Sequence, residues 1–143
     1  MIKNLRKIVE KSDTKLGLIF DLSIQALIIA SIVIFSLETL PNLDSSTIEL
    51  LGALEVVLVA VFSLEYLLRL VVAKRKIKFA FSFWGLIDLL AILPYYLFSF
   101  GIDFNLIMLR AFRLLRLVRI IKLGRYSKSL ARVALAMKLA KED

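Results

Sequence analysis

LRAFRLLRLVRIIKLGR, residues 109–125, sets two requirements against each other. Every third residue from Arg110 is basic: Arg110, Arg113, Arg116, Arg119, Lys122 and Arg125. Nearly everything between is apolar. Residues 106–123 hold five basic and thirteen apolar side chains. A basic residue at the centre of a membrane-spanning helix costs about 2.5–3.5 kcal/mol, while Leu, Ile, Phe or Val each return only about 0.3–0.6 kcal/mol. The sum is unfavourable by roughly 10 kcal/mol, an upper bound that snorkelling and water defects reduce. Such a segment is not expected to sit alone in lipid. It needs carboxylates and water brought to it by neighbouring helices.

The rest of the chain is apolar enough to supply those helices. It has 143 residues, 60% of them hydrophobic, with a net charge of +8 and a mean hydropathy of +0.85. An ordinary soluble domain is about 45–50% apolar, so the chain belongs with membrane proteins. It contains neither Cys nor His. Disulfides, thiolate nucleophiles, the usual zinc ligands and imidazole proton transfer are therefore excluded. The five glycines, Gly17, Gly52, Gly85, Gly101 and Gly124, are isolated and form no phosphate-binding loop. An enzyme is not expected, and neither a metal nor another cofactor.

Four spans are predicted, at residues 16–37, 48–73, 79–100 and 105–124, each near the length that crosses the hydrocarbon as a helix. The first is too long for the apolar core of a signal peptide, and no small-residue cleavage site follows it, so it reads as a retained span. Lys and Arg fix the orientation. Residues 1–15 carry Lys3, Arg6, Lys7, Lys11 and Lys15, residues 69–78 carry five basic side chains, and Arg125, Lys128, Arg132, Lys138 and Lys141 follow the fourth span. The connections at 38–49 and 101–105 have acids and no base. Both termini are thus expected in the cytoplasm, and the positive charge is explained without nucleic acid. Residues 1–15 and 125–143 read as amphipathic helices in the interface plane. The predicted fold is an all-α membrane protein, a four-transmembrane-helix antiparallel bundle (residues 16–124) with flanking interfacial helices.

Acids stand where the basic residues need partners. At about 100° per residue, Glu55, Phe62 and Glu65 fall on one side of the second helix, with the two acids about 15 Å apart along its axis. Asp88 enters the third helix at the depth of Glu65, and Glu38 caps the outer end of the first. Two acidic clusters result, divided by an apolar layer that includes Phe62. Basic residues at a spacing of three repeat about every 4.5 Å along an α-helix, so a sliding or rotating helix trades one carboxylate partner for the next. In an α-helix the charges also step around the axis, whereas a 3₁₀ helix lines them on one face; the spacing fits either. Three or four charges crossing the full field are worth roughly 7–9 kcal/mol per 100 mV, and reversing a two-state equilibrium from 1:99 to 99:1 takes about 5.5 kcal/mol. An Arg-rich span of this kind reads as a voltage sensor.

Four stretches, VIFSLETLPNLD, EVVLVAVFSLEYLLRL, LIDLLAILPYYL and LRAFRLLRLVRIIKLGRYSKSL, carry a resemblance over nearly the whole chain to the voltage-sensing domain of voltage-gated potassium channels. The resemblance implies that Arg110, Arg113, Arg116 and Arg119 are the main gating charges and that Lys122 and Arg125 are the inner two. It implies a charge-transfer centre of Phe62, Glu65 and Asp88, with Glu55 and Glu38 as outer countercharges. It makes 125–143 a linker helix toward a pore. The pore and its filter are not among these residues, nor is a soluble tetramerisation domain. The expectation is a prokaryotic-type sensor cut from a longer channel, in the bacterial inner membrane. Its partners would be lipid phosphates and a pore domain in a homotetramer. The alternative is a stand-alone proton-permeable sensor. Such proteins carry an Asp midway along the first helix, whereas here the only acid within that span, Asp21, lies near its inner end.

Overall fold

A computed structural model describes residues 1–10 and 14–142. Lys11, counted above among the N-terminal basic residues, lies outside them. The described chain is helical, with no strand among its residues. Helix α1 spans Ile2–Glu10, α2 Lys15–Glu38, α3 Ser45–Val72, α4 Lys76–Ala80 and α5 Phe83–Ser99. Then come α6, Leu106–Leu114, a 3₁₀ turn at Leu115–Leu117, α7, Val118–Lys122, a second 3₁₀ turn at Leu123–Tyr126, and α8, Ser127–Glu142.

The helix ends follow local chemistry. Thr14 caps α2 by accepting from the Gly17 amide at 3.0 Å. Past its C-terminus the chain turns through Pro41 and Asn42, whose φ of 64° suits a side chain that tolerates the left-handed region. Asp44 precedes α3 and accepts from the hydroxyls of Ser46 and Thr47, and these bonds hold its carboxyl below the usual carboxylate range. Arg6 of α1 donates to the carbonyl of Val72, from Nε at 3.1 Å and from Nη2 at 2.5 Å, and so satisfies one of the open acceptors at the end of α3.

The span predicted at 79–100 is divided. α4 stops at Ala80, and α5 starts afresh behind Ser82. The Ser82 hydroxyl donates to the Phe79 carbonyl at 2.6 Å and accepts from the Gly85 amide at 3.1 Å. Gly85 lets the two pieces meet, because a Cβ there would lie 2.0 Å from the Phe79 carbonyl oxygen.

α2 and α3 are long and apolar enough to cross a membrane, and only 33% and 28% of their most apolar windows are buried within the fold. Ile29, Val33, Val57 and Leu64 are more than half exposed. α2 packs on α3, α3 on α5, α5 on the first 3₁₀ turn and α7, and α7 returns to α2. α1 packs across α2 and α3, with Val9 buried. Ile24, Ile28, Leu58, Val59, Phe62, Ile92 and Tyr126 fill the space between.

Two glycine substitutions are expected to have opposite signs. Gly85→Ala forces a backbone shift and lowers stability by roughly 1–3 kcal/mol, as overpacking does. Gly52→Ala, whose Cβ meets nothing within 4 Å, raises it by about 0.5–1 kcal/mol through helix propensity. Thermal unfolding in detergent micelles measures both. A Gly85→Ala protein as stable as the parent would show that the close approach at Phe79 is dispensable.

Candidate functional site: a ladder of buried ion pairs

The basic segment is neither wholly α-helical nor wholly 3₁₀. Asn105 opens α6 by accepting from the Met108 amide at 2.9 Å. The two 3₁₀ turns then flank α7. Three residues of α-helix advance about 300°, and three residues of 3₁₀ helix a full turn. Short 3₁₀ stretches therefore cancel part of the rotation that would carry successive charges around the axis.

Four of the six basic side chains meet acids. Arg116 Nη1 reaches Glu38 Oε2 at 2.6 Å, and its Nε lies 3.8 Å from Glu55 Oε1. Arg119 forks onto Glu55, Nη2 to Oε1 at 2.7 Å and Nη1 to Oε2 at 3.1 Å, and its Nε donates to the Ala91 carbonyl at 3.2 Å. Lys122 Nζ lies 2.7 Å from Glu65 Oε2 and 3.3 Å from Asp88 Oδ1. Arg125 Nη1 reaches Asp88 Oδ2 at 2.7 Å, with its guanidinium 5.2 Å from the centre of the Trp84 ring. Arg110 and Arg113 are exposed and form no ion pair with a described residue. Arg113 and Arg116 line a crevice of about 530 Å³ with Glu38, Phe35, Leu43 and Leu51.

Phe62 divides the ladder. It is wholly buried, and its ring centre lies 5.5 Å from the Arg119 guanidinium carbon and 4.5 Å from Lys122 Nζ. The cation on Glu55 and the cation on Glu65 thus share one aromatic ring. Both distances are within cation–π range. α3 presents Leu51, Glu55, Leu58, Val59, Phe62 and Glu65 as one buried stripe, as the 3.6-residue period requires. Asp88 comes from the buried face of α5 beside Ala91 and Ile92.

Arg119, Lys122, Glu65 and Asp88 are each at most 2% exposed. A charge buried to this degree persists only when paired, and removing one partner of such a pair costs about 3–5 kcal/mol. Glu65 also binds Arg69, one turn along α3, at 3.1 Å. The i,i+4 spacing predicts that contact, and it coexists with Lys122 because the two cations use different carboxylate oxygens.

Other members of the network give little sign in the sequence. Tyr126 donates to Glu65 Oε1 at 2.5 Å and accepts from Arg69 Nη2 at 2.5 Å. Ser129 donates to Asp21 Oδ2 at 2.7 Å, with both residues buried. Gln25 is buried with both amide atoms unpartnered among the described residues, the situation in which a buried water is the usual partner. The one available clue is that Tyr126 lies one helical turn beyond Lys122 and so shares its face.

Residues 17–142 match the model of the ion transport protein family. The voltage-gated potassium channel regulatory subunit KCNF1 of Rattus norvegicus is 34% identical over 128 residues, covering 78% of this chain and 26% of the relative. The regulatory subunit KCNG1 of Homo sapiens is 31% identical over 159 residues, covering 94% and 31%. A putative potassium channel protein of Rhodopseudomonas palustris is 26% identical over 129 residues, covering 82% and 30%. The chain spans about a quarter to a third of the length of these relatives. The description of the family is that of a transport protein and not of an enzyme. With a match over most of its length and helices fit to cross a membrane, the chain belongs to the ion transport protein family and is a domain of the voltage-gated channel type.

Proposed function

We propose that the chain is the voltage sensor of a voltage-gated potassium channel. In this reading residues 16–124 form an antiparallel four-helix bundle in the plasma membrane, with both termini in the cytoplasm and residues 125–143 leading toward a pore. A similar bacterial channel protein supports a prokaryotic parent. Arg110, Arg113, Arg116, Arg119, Lys122 and Arg125 are the gating charges. Glu38 and Glu55 are the outer countercharges, Glu65 and Asp88 the inner ones, and Phe62 is the gate between. Arg110 and Arg113 meet lipid phosphates and the water of the outer crevice. The partner is the pore domain of the parent channel, which in full length is a homotetramer.

The observation that carries the reading is Phe62 between Arg119 on Glu55 and Lys122 on Glu65. A segment so held has a next position. Moving inward by three residues brings Arg116 to Glu55 and Arg119 to Glu65, so both acids keep a cation, and two further steps of the same kind bring Arg116 and then Arg113 past Phe62. Each transferring cation passes the face of Phe62, where cation–π attraction of about 0.5–2 kcal/mol offsets part of the lost pairing. The present arrangement has Arg119 and the three arginines before it on the outer side of the ring, which is the outward position expected at depolarised voltage.

Charge displacement in a voltage-clamped membrane tests this. Neutralising Arg116 and Arg119 together to Gln is expected to remove about two elementary charges from the total, since each is worth about 2.3 kcal/mol per 100 mV only if it crosses the field. An unchanged total would end the proposal. Glu65→Gln is expected to shift the voltage midpoint and leave the total charge nearly intact, because a countercharge stays in place. A Glu65→Gln protein that loses charge instead would make Glu65 part of the moving element.

A further inference from the structure

Tyr126 is uncharged and falls outside the three-residue series, yet it is only 2% exposed. Its hydroxyl donates to Glu65 Oε1 and accepts from Arg69 Nη2, each at 2.5 Å. Glu65 therefore divides its carboxylate. Oε2 holds Lys122 at 2.7 Å, and Oε1 holds Tyr126 and Arg69. Lys122 and Tyr126 sit four residues apart on one segment, so they reach Glu65 together and leave it together.

The consequence is one of register. An inward step of three residues carries each side chain to the place of the one three positions ahead. At Oε2 the step puts Arg119 where Lys122 was, a cation for a cation. At Oε1 it puts Leu123 where Tyr126 was, an alkyl group for a hydroxyl. The Ser129–Asp21 contact behaves alike. Ser129 is 1% exposed, and the step drives the Tyr126 ring toward a place closed around a serine. The ion pairs are renewed at each step, and these two hydroxyl contacts are not.

We propose that Tyr126 is a positioning residue: its hydroxyl latches the basic segment to Glu65 and Arg69 in the outward position alone, and so sets the voltage midpoint without carrying charge. This rests on the voltage-sensor reading above. It concerns the balance between two positions, whereas the charge series concerns the coupling to voltage.

Tyr126→Phe removes one oxygen and keeps the ring. It is expected to shift the equilibrium at fixed voltage about tenfold toward the inward position, with an about tenfold faster return after depolarisation and the same total displaced charge. A tenfold change is about 1.4 kcal/mol. Divided among three charges at about 2.3 kcal/mol per 100 mV each, it moves the midpoint about 20 mV toward depolarised voltages. Leu123→Tyr is the second variant. It places a hydroxyl at the register that reaches Glu65 after one inward step, and it is expected to slow outward movement about tenfold. A role in packing alone leaves midpoint and return rate unchanged in Tyr126→Phe. That result, with displaced charge still dependent on Arg116 and Arg119, overturns the latch and spares the sensor. If the displaced charge does not depend on those arginines, the sensor reading falls and the latch with it.

Discussion

The requirement that a cation kept from water must touch an acid governs this molecule. Arg119 and Lys122 are as buried as the hydrophobic core around them. An isolated ion in such a place costs several kcal/mol even after relaxation. The fold meets the requirement by fixing acids at successive heights on three helices, Glu38 on α2, Glu55 and Glu65 on α3, and Asp88 on α5. The order of partners along the basic segment, Glu38, Glu55, Glu65 and Asp88, follows the order of the cations. The ladder is thus in register at every rung it contains.

Keeping that register is a problem of helical geometry. Charges at a spacing of three drift by about 60° per interval in an α-helix, and over the three intervals from Arg116 to Arg125 they would leave the acids behind. The two 3₁₀ turns flanking α7 sit where the drift has to be cancelled. Arg116 lies within the first, and Lys122 and Arg125 bracket the start of the second. Upstream, α6 is uninterrupted, and its charges Arg110 and Arg113 are exposed. Such 3₁₀ stretches are less stable than α-helix and are common at hinges. Their position here ties the winding of the segment to which cations are inside.

The periodic part of this arrangement was legible in the sequence. Glu55, Phe62 and Glu65 share a face by arithmetic on residue numbers, and Asp88 falls at the right depth once the third helix is placed. The choice between α and 3₁₀ was not legible, because a spacing of three suits both and the outcome depends on where the acids stand. The division of the third span was hidden too. Nothing in FAFSFWGLIDLL is too polar for a span, and the break follows from the Ser82 cap and the close approach that Gly85 permits. Tyr126, Ser129 and Trp84 are ordinary interface residues by composition. Their partners are distant in sequence, Tyr126 from Glu65 by 61 positions and Ser129 from Asp21 by 108. Only tertiary packing distinguishes them. Arg6, read as one more inner-face cation, also caps the end of α3.

The stationary charges on the two sides of Phe62 differ, and that difference bears on the resting balance. Among the carboxylates that touch the basic segment, Glu38 and Glu55 stand on one side with no fixed cation beside them among the described residues. Glu65 and Asp88 stand on the other, but Arg69, which belongs to α3 and not to the basic segment, already neutralises one of them. The cations of the basic segment therefore face two uncompensated acids beyond Phe62 and one within. A segment carrying six positive charges is drawn toward the larger fixed charge, which is where Arg116 and Arg119 lie. In the sensor reading this bias acts outward, and a cell interior at negative potential opposes it. The opposing work, roughly 7–9 kcal/mol per 100 mV for three or four charges, exceeds a bias of a few kcal/mol. In that reading Arg69, by partly compensating Glu65, weakens the pull of the inner site relative to the outer one, a consequence that its i,i+4 pairing alone does not reveal.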